Sequence, residues 1–494
     1  MLLLAALLAA IPASAAEFFV APAGLPSGDG SAGHPWDLAT ALGGSERVRP
    51  GDTVRLAGGT YRGGFVCTLK GTEDAPITIR PVGGARVTVD CRPRDDRDDG
   101  QFYVRGDWLV VRDLEFTCST PQRVTGAAGS APADMRRGGI SSHGSHNALV
   151  NLIIHDTNGA GFWGDDQGGE GGEFHGCIIY NNGWKGPDRG HGHALYAQNG
   201  RGTKRITDNV MFHQFSHGLH CYGSSKAFLR GFHIEGNVAF QNGALVQPDE
   251  RNPDFLVGGG TPIDRVVFAR NFVYGGGSLR LGYNWGPPNG EVVARDNYIA
   301  GGVNLHFLER LAFTGNTVIN PGSLVRIDLP PEGGAPQSRW EKNSYINTEP
   351  KWRPFALSRK DRGSSDLTFA EWRQSTRWDE TSTYLEERPR GAKIFVRPNR
   401  CQKGRGHVIV YNWDRQAAVE VDLAPVLAPG QRYRIVSAQD FYGEPVLQGV
   451  FDAKPIQLPM TPRPPAQPVG MPDYKLPVTE PEFGVFVVLP EPAE

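Results

Sequence analysis

One short motif recurs along this chain, and it limits the available folds more than any other feature. A polar residue or glycine is followed by asparagine and then by an alternating strand. It appears as "LVNLIIHD" at Asn151, "ITDNVMFHQ" at Asn209, "IEGNVAFQN" at Asn237, "FARNFVYGG" at Asn271, "ARDNYIAGG" at Asn297, "FTGNTVINP" at Asn316 and "WEKNSYINT" at Asn343. "FHGCIIYNN" fills the remaining place, with Cys177 where asparagine would stand. The intervals run from 19 to 34 residues. A fixed element with variable insertions marks a solenoid: each coil buries its face on its neighbours, and insertions bulge from the corners. Asparagine suits a repeated bend, because it tolerates the left-handed conformation and its amide can bond backbone or the next coil's asparagine.

Earlier strands extend the array: "DTVRLAGGTY", "APITIRPVGG", "ARVTVDC" and "WLVVRDLEF". Before them, Trp36, Leu38, Ala41 and Leu42 have helical spacing, which predicts a short helix capping the open end. Glycine contributes 64 of 494 residues, nearly twice the usual share of about 7%. That suits many short strands joined by tight turns. A net charge of −2 argues against a broad nucleic-acid or membrane surface. None of the six cysteines (Cys67, Cys91, Cys118, Cys177, Cys221, Cys401) forms a CxxC pair, which argues against a zinc site and favours buried single thiols. "MLLLAALLAAIPASAA" at residues 1–16 reads as a signal peptide ending in small residues, so the mature chain is expected to be secreted or periplasmic, a monomer with no membrane span.

"HPWDLATAL", "PGDTVRLAGGTYRGGF" and "APITIRP" together resemble the entry to right-handed parallel β-helix proteins of the pectate-lyase-like superfamily. Their order also looks like the start of the chondroitinase B and alginate lyase family. The resemblance implies an all-β right-handed parallel β-helix with an N-terminal cap over residues 17–350. That superfamily hosts lyases, hydrolases, epimerases and binding proteins, so it fixes no reaction. The family's catalytic Lys…Arg pair has no counterpart here. Residues 351–395 read as a linker with a closing helix around Phe369, Trp372 and Arg373. From 396 to 494 alternation returns in "KIFVRP", "GHVIVYNW", "AAVEVDL", "QRYRIVSA" and "EFGVFVVLP", which predicts a C-terminal β-sandwich.

If coils stack, equivalent strands can be aligned. "HALYAQ" (193–198) and "HGLHCY" (217–222) match position by position, with "GISSH", "GFWGD", "DFLVGG", "SLRLG", "GVNLH" and "LVRID" in neighbouring coils. Side chains alternate along a strand. Ile140, Phe162, Leu195, Leu219, Phe255, Leu279, Val303 and Val325 then fill the bore. Ser141, Trp163, Tyr196, His220, Leu256, Arg280, Asn304 and Arg326 face out, with a second row of His143, Asp165, Gln198, Tyr222, Gly258, Gly282, His306 and Asp328. Aromatic and amide groups in a row suit sugar rings, so the stripe is the expected substrate groove, walled by insertions at 119–137, 165–173 and 244–253.

Three functions remain open. β-Elimination on an acidic, uronic-acid polysaccharide needs a base, a cation for the carboxylate and a donor for the leaving oxygen. Tyr196, His220 and His193 could supply the proton chemistry. Arg280 and Arg189 could supply the charge. Trp163, Gln198, His217, Tyr222, Arg189, Asn304, His306 and Arg326 would bind substrate. Glycoside hydrolysis needs two carboxyls, for which Asp165 and Asp166 are the candidates. "GDD", followed one coil later by "GHG", is similar to part of the polygalacturonase pattern. A non-catalytic glycan-binding or envelope protein is the third. The expected cofactor is none, or Ca2+ held through oxygen ligands by Asp165, Asp166, Glu170 and Glu173. "GAGFWG" matches a dinucleotide-binding pattern but opens no helix, so that reading fails.

Overall fold

Each coil of the chain lays down three short strands, and these stack into three sheets of twelve strands each. A computed structural model describes residues 15–491, apart from 45, 96, 136–137, 165–168, 225–226, 247–251, 284–286, 331–336, 351–352 and 360–362. The expected signal peptide therefore lies almost wholly outside the described residues. No described helix is long and apolar enough to cross a membrane. The first sheet runs from Glu17–Val20 to Gln337–Glu341, the second from Gly59–Arg62 to Thr383–Leu385, and the third from Phe65–Cys67 to Phe355–Arg359. Neighbours pair in parallel throughout, until Gly363–Leu367 closes the third sheet by antiparallel pairing. The chain is a right-handed parallel β-helix.

Alternation decides the interior. On the third sheet, Phe162 pairs with Leu195, Leu195 with Leu219, Leu219 with Phe255, and Phe255 with Leu279, all turned into the bore. The N-terminal helix is shorter than its apolar spacing implies. It spans Leu38–Leu42 behind the cap Asp37, and Trp36 lies ahead of it, stacked on Phe18 at 5.1 Å. The closing helix Phe369–Thr376 buries Trp372 and starts on a reciprocal Thr368–Glu371 cap. The expected linker contains more of the stack. Phe355–Arg359 runs parallel to Val325–Asp328, and Thr383–Leu385 parallel to Ser344–Asn347. The coils thus continue past residue 350. Five cysteines are buried thiols and Cys401 is partly exposed; all six are free.

The asparagines form a ladder. Each backbone N–H of Asn209, Asn237, Asn271, Asn297 and Asn316 donates to the Oδ1 of the next asparagine at 2.8–3.1 Å. Cys177 joins at the top by donating its N–H to Asn209 at 3.0 Å. The ladder residues are not the left-handed ones. That conformation belongs to the residue before, at Asp208, Arg270, Asp296 and Lys342. Asn151 itself takes this slot, at φ 54°, so it sits one residue off the ladder, and Leu152 holds the ladder place. A second ladder, which carries no repeat signature, passes from Thr157 to Asn182, Gln214, Asn242 and Asp254 at the corner entering the third sheet. Asn271→Ala is expected to lower stability by about 3 kcal/mol, because it strips partners from the buried amides of Asn237 and Asn297. Denaturant titration checks this.

The C-terminal strands form a five-stranded antiparallel sheet and a two-stranded one, packed on each other through Val408, Val410, Ile435, Phe486 and Leu458. The other face of the larger sheet rests on the second solenoid sheet. There Tyr180, Phe212, Phe240 and Phe272 meet Tyr411, Phe483 and Val485. Tyr411 donates to the Val273 carbonyl at 3.0 Å. At the rim of this contact, His155 stacks on Tyr180 at 4.9 Å. Its Nδ1 lies 2.7 Å from Asp156 and its Nε2 3.0 Å from Glu115. Arg86 grips Glu115 and covers the Tyr442 ring at 3.7 Å. Burial opposes a charged His155, but the two carboxylates outweigh it and raise it to about 9. Glu115 would be raised by burial, yet His155, Arg86 and Thr88 bring it down to about 2.

Candidate functional site

The outward residues of the third sheet stand in the register expected from the sequence. Ser141 pairs with Trp163, Trp163 with Tyr196, Tyr196 with His220, His220 with Leu256, Leu256 with Arg280, Arg280 with Asn304, and Asn304 with Arg326. A cleft of about 490 Å³ opens over the first part of this stripe. Its floor is a run of rings: Tyr103 and His143 stack at 6.0 Å, His143 meets Trp163 at 5.4 Å, and Trp163 stacks on Tyr196 at 6.5 Å. Trp163 is 36% exposed.

One wall is a hairpin. Trp184–Lys185 pairs antiparallel with Gly190–His191, and the turn carries Asp188 and Arg189. Gly183 and Gly192 close its base. Gly192 has φ +95°, and a Cβ there would fall 2.3 Å from the Gly183 Cα. Trp184 stacks on His191 at 5.0 Å. Arg189 donates to Ser130 at 3.1 Å, which ties the hairpin to the 119–137 insertion. Arg123 from that insertion is buried, and it donates to Asn158 and to the Val469 carbonyl of the C-terminal module. The module thus braces the cleft from behind.

At the inner end of the cleft three imidazoles cluster. His193 and His217 stack at 5.3 Å, with His220 edge-on to His193 at 4.4 Å. Their hydrogen bonds fix the tautomers. The backbone N–H of His217 donates to His193 Nδ1 at 3.2 Å. A neutral His193 therefore carries its proton on Nε2, which donates to His220 Nδ1 at 3.1 Å. His220 then carries its own proton on Nε2. His217 Nδ1 donates to the Pro253 carbonyl at 3.0 Å, which, among the described residues, leaves His217 Nε2 as the cluster's one uncommitted lone pair. Burial lowers His217 to about 4, and it holds His193 and His220, which both also feel His217, well below the usual range. All three are neutral at pH 7. The Tyr196 ring stands 5.2 Å from His220, and burial raises its hydroxyl to about 12.

The expected site residues divide. Trp163, Arg189, His193 and Tyr196 line the cleft, and His217 and His220 contact them from the next coil. Gln198, Tyr222, Arg280, Asn304, His306 and Arg326 lie further along the same sheet and do not line it. Gln198 is spent on the Tyr222 carbonyl, and His306 on Asp328 at 2.7 Å. Leu256 is buried. Asp165 and Asp166 lie outside the described residues. Glu173 does not join an acidic loop with Glu170. It sits on the first sheet, where alternation turns it towards Arg400 of the C-terminal module, with which it pairs. The alignment missed Tyr103, although its strand Gln101–Val104 pairs directly with Gly139–Ser142 and one earlier coil would have found it. Trp184 and His191 left no periodic signal, because the hairpin is an insertion.

No family model matches the sequence, and no curated protein matches it. Among solved structures the chain is similar to a rhamnogalacturonan lyase, at 16% identity over 72% of this chain and 89% of that one, with a TM-score of 0.48. It is similar to a lacto-N-biosidase from Eubacterium ramulus at 15% identity over 75% and 68%, TM-score 0.47. It is similar to a pectate lyase at 18% identity over 68% and 80%, TM-score 0.43. At these values nothing about substrate or reaction passes to this chain, whose architecture rests on its own three parallel sheets.

Proposed function

We propose that the protein is an exported enzyme that cleaves an acidic, uronic-acid polysaccharide by β-elimination in the cleft at Tyr196. The observation that carries this reading is the cleft's lining. It combines stacked rings, hydroxyls, imidazoles and the Arg189 guanidinium, and holds no carboxylate among the described residues. Hydrolysis by the usual route needs two carboxyls. Elimination needs a counter-charge for the uronate, an acceptor for the C5 proton and a donor for the leaving oxygen. Arg189 is the counter-charge. Tyr196, held protonated, is the donor. The acceptor comes from the neutral imidazole cluster, whose free lone pair is His217 Nε2.

A screen of uronic-acid polymers tests the reading through the absorbance of unsaturated sugar ends. Absorbance from at least one polymer supports it. Reducing ends without that absorbance make the protein a hydrolase, and Asp165 and Asp166 the next residues to change. Binding with neither product makes it a glycan-binding protein.

A further inference from the structure

We infer that His193, His217 and His220 form a binding site for one divalent transition-metal ion, with Zn2+ the best match. One nitrogen from each ring lies within 4.8 Å of the others. The gap between His193 Nε2 and His220 Nδ1 is 3.1 Å. Two ligands on a tetrahedral zinc, with bonds of about 2.0–2.1 Å, stand about 3.4 Å apart, so the pair is already near ligand spacing. His217, whose ring stacks on His193 at 5.3 Å and lies 4.7 Å from His220, offers its free Nε2 as the third ligand. The Pro253 carbonyl on His217 Nδ1 is the kind of outer partner that fixes a metal-binding imidazole.

The donor set selects the ion. Three imidazoles without a carboxylate suit Zn2+, Cu2+ or Ni2+ rather than Ca2+ or Mg2+. Three protein ligands leave a fourth position open, as catalytic zinc sites do. Because His193 lines the cleft, the ion has a route in from solvent. The proton balance is definite. In the metal-free form one proton fills the His193–His220 gap. The ion takes its place, and His193 stays a neutral ligand by carrying that proton on Nδ1, which gives up the bond from the His217 N–H. The sequence argued against a zinc site from its missing CxxC pairs, and that argument bears on cysteine ligation alone. The imidazoles come from two coils and meet only once these stack.

The site stands without the polysaccharide reading, but one consequence rests on it. Metal occupancy consumes the lone pair assigned to proton abstraction, so Zn2+ inhibits elimination and chelation restores it. Equilibrium dialysis of the chelator-treated protein against Zn2+, with elemental analysis, is expected to give one ion per chain. Co2+ is expected to give the intense visible bands of a tetrahedral site. His217→Gln and His193→Gln should each abolish stoichiometric binding, whereas His143→Ala, outside the triad, retains it. The inference is overturned if wild-type protein retains no ion. It is overturned equally if both glutamine variants, shown to be folded by circular dichroism, still bind one. Should those variants not fold, wild-type Co2+ spectra lacking a tetrahedral signature overturn it. Metal binding without cleavage of any polymer sinks the elimination reading and leaves the site intact.

Discussion

Tyr196→Phe is expected to lower turnover on a cleaved uronic-acid polymer by about 100-fold or more, the scale of a lost proton-transfer group. KM should change little, because the ring remains stacked on Trp163. His220→Ala should cost a similar factor, since it removes the partner that holds the His193 proton. The pH profile gives a second reading of the same machinery. An imidazole acceptor must be neutral, so activity should be lost as pH falls through about 4, the value to which burial lowers His217. Tyr196, raised to about 12, stays a donor across the neutral range and sets no limb there. Initial rates measured from pH 3 to 9 in the wild type and both variants decide the matter. Wild-type rates in both variants would discard the site.

The second large effect concerns stability and centres on His155. Its folded value is raised from 6.5 to about 9. The raised value means that its contribution is fully present below about 6.5 and is lost as pH rises through about 9. The difference corresponds to about 3 kcal/mol. Glu115 works in the opposite direction. Its value is lowered from 4.5 to about 2, so its contribution is present above about 4.5 and lost as pH falls through about 2. Thermal midpoints should therefore form a plateau between about 5 and 6.5 and decline towards pH 9. His155→Gln removes the cation between two carboxylates and should lower stability by about 3 kcal/mol at pH 6, because it leaves buried charge uncompensated. It should also flatten the alkaline decline. An unchanged slope in the variant would show that His155 is not its source.

The groove was legible because a strand exposes alternate residues and equivalent strands share spacing. Those two facts carried the alignment from Ser141 to Arg326 without a register error. The ladder was less legible. Asn151 looks like its neighbours in sequence, yet the bend needs a left-handed residue one place earlier than the bonding amide, and Asn151 fills that slot. The imidazole cluster was half visible. His193 and His217 were recognisable as equivalents, but the direction of each hydrogen bond depends on a backbone N–H and on the Pro253 carbonyl, which no spacing reveals. The C-terminal strands announced themselves by alternation. Their resting place was written in the solenoid, where "IIY", "VMF" and "VAF" are buried at every residue. A strand without a polar face needs a cover on both sides.

That cover has a consequence for how the protein is made. Phe483–Pro490, the last described strand, lies between Gly406–Asn412 and Arg432–Ser437 in the five-stranded sheet. The lid over the second solenoid sheet cannot close until this strand arrives. Solenoid coils contact only their neighbours, so they can assemble as they emerge. A nascent chain then presents Tyr180, Phe212, Phe240 and Phe272 uncovered while about 200 further residues follow, some 10–40 s at ordinary synthesis rates. During that interval the half-built molecule is a sticky aromatic plank, and its yield is set by how well the cell shields that plank.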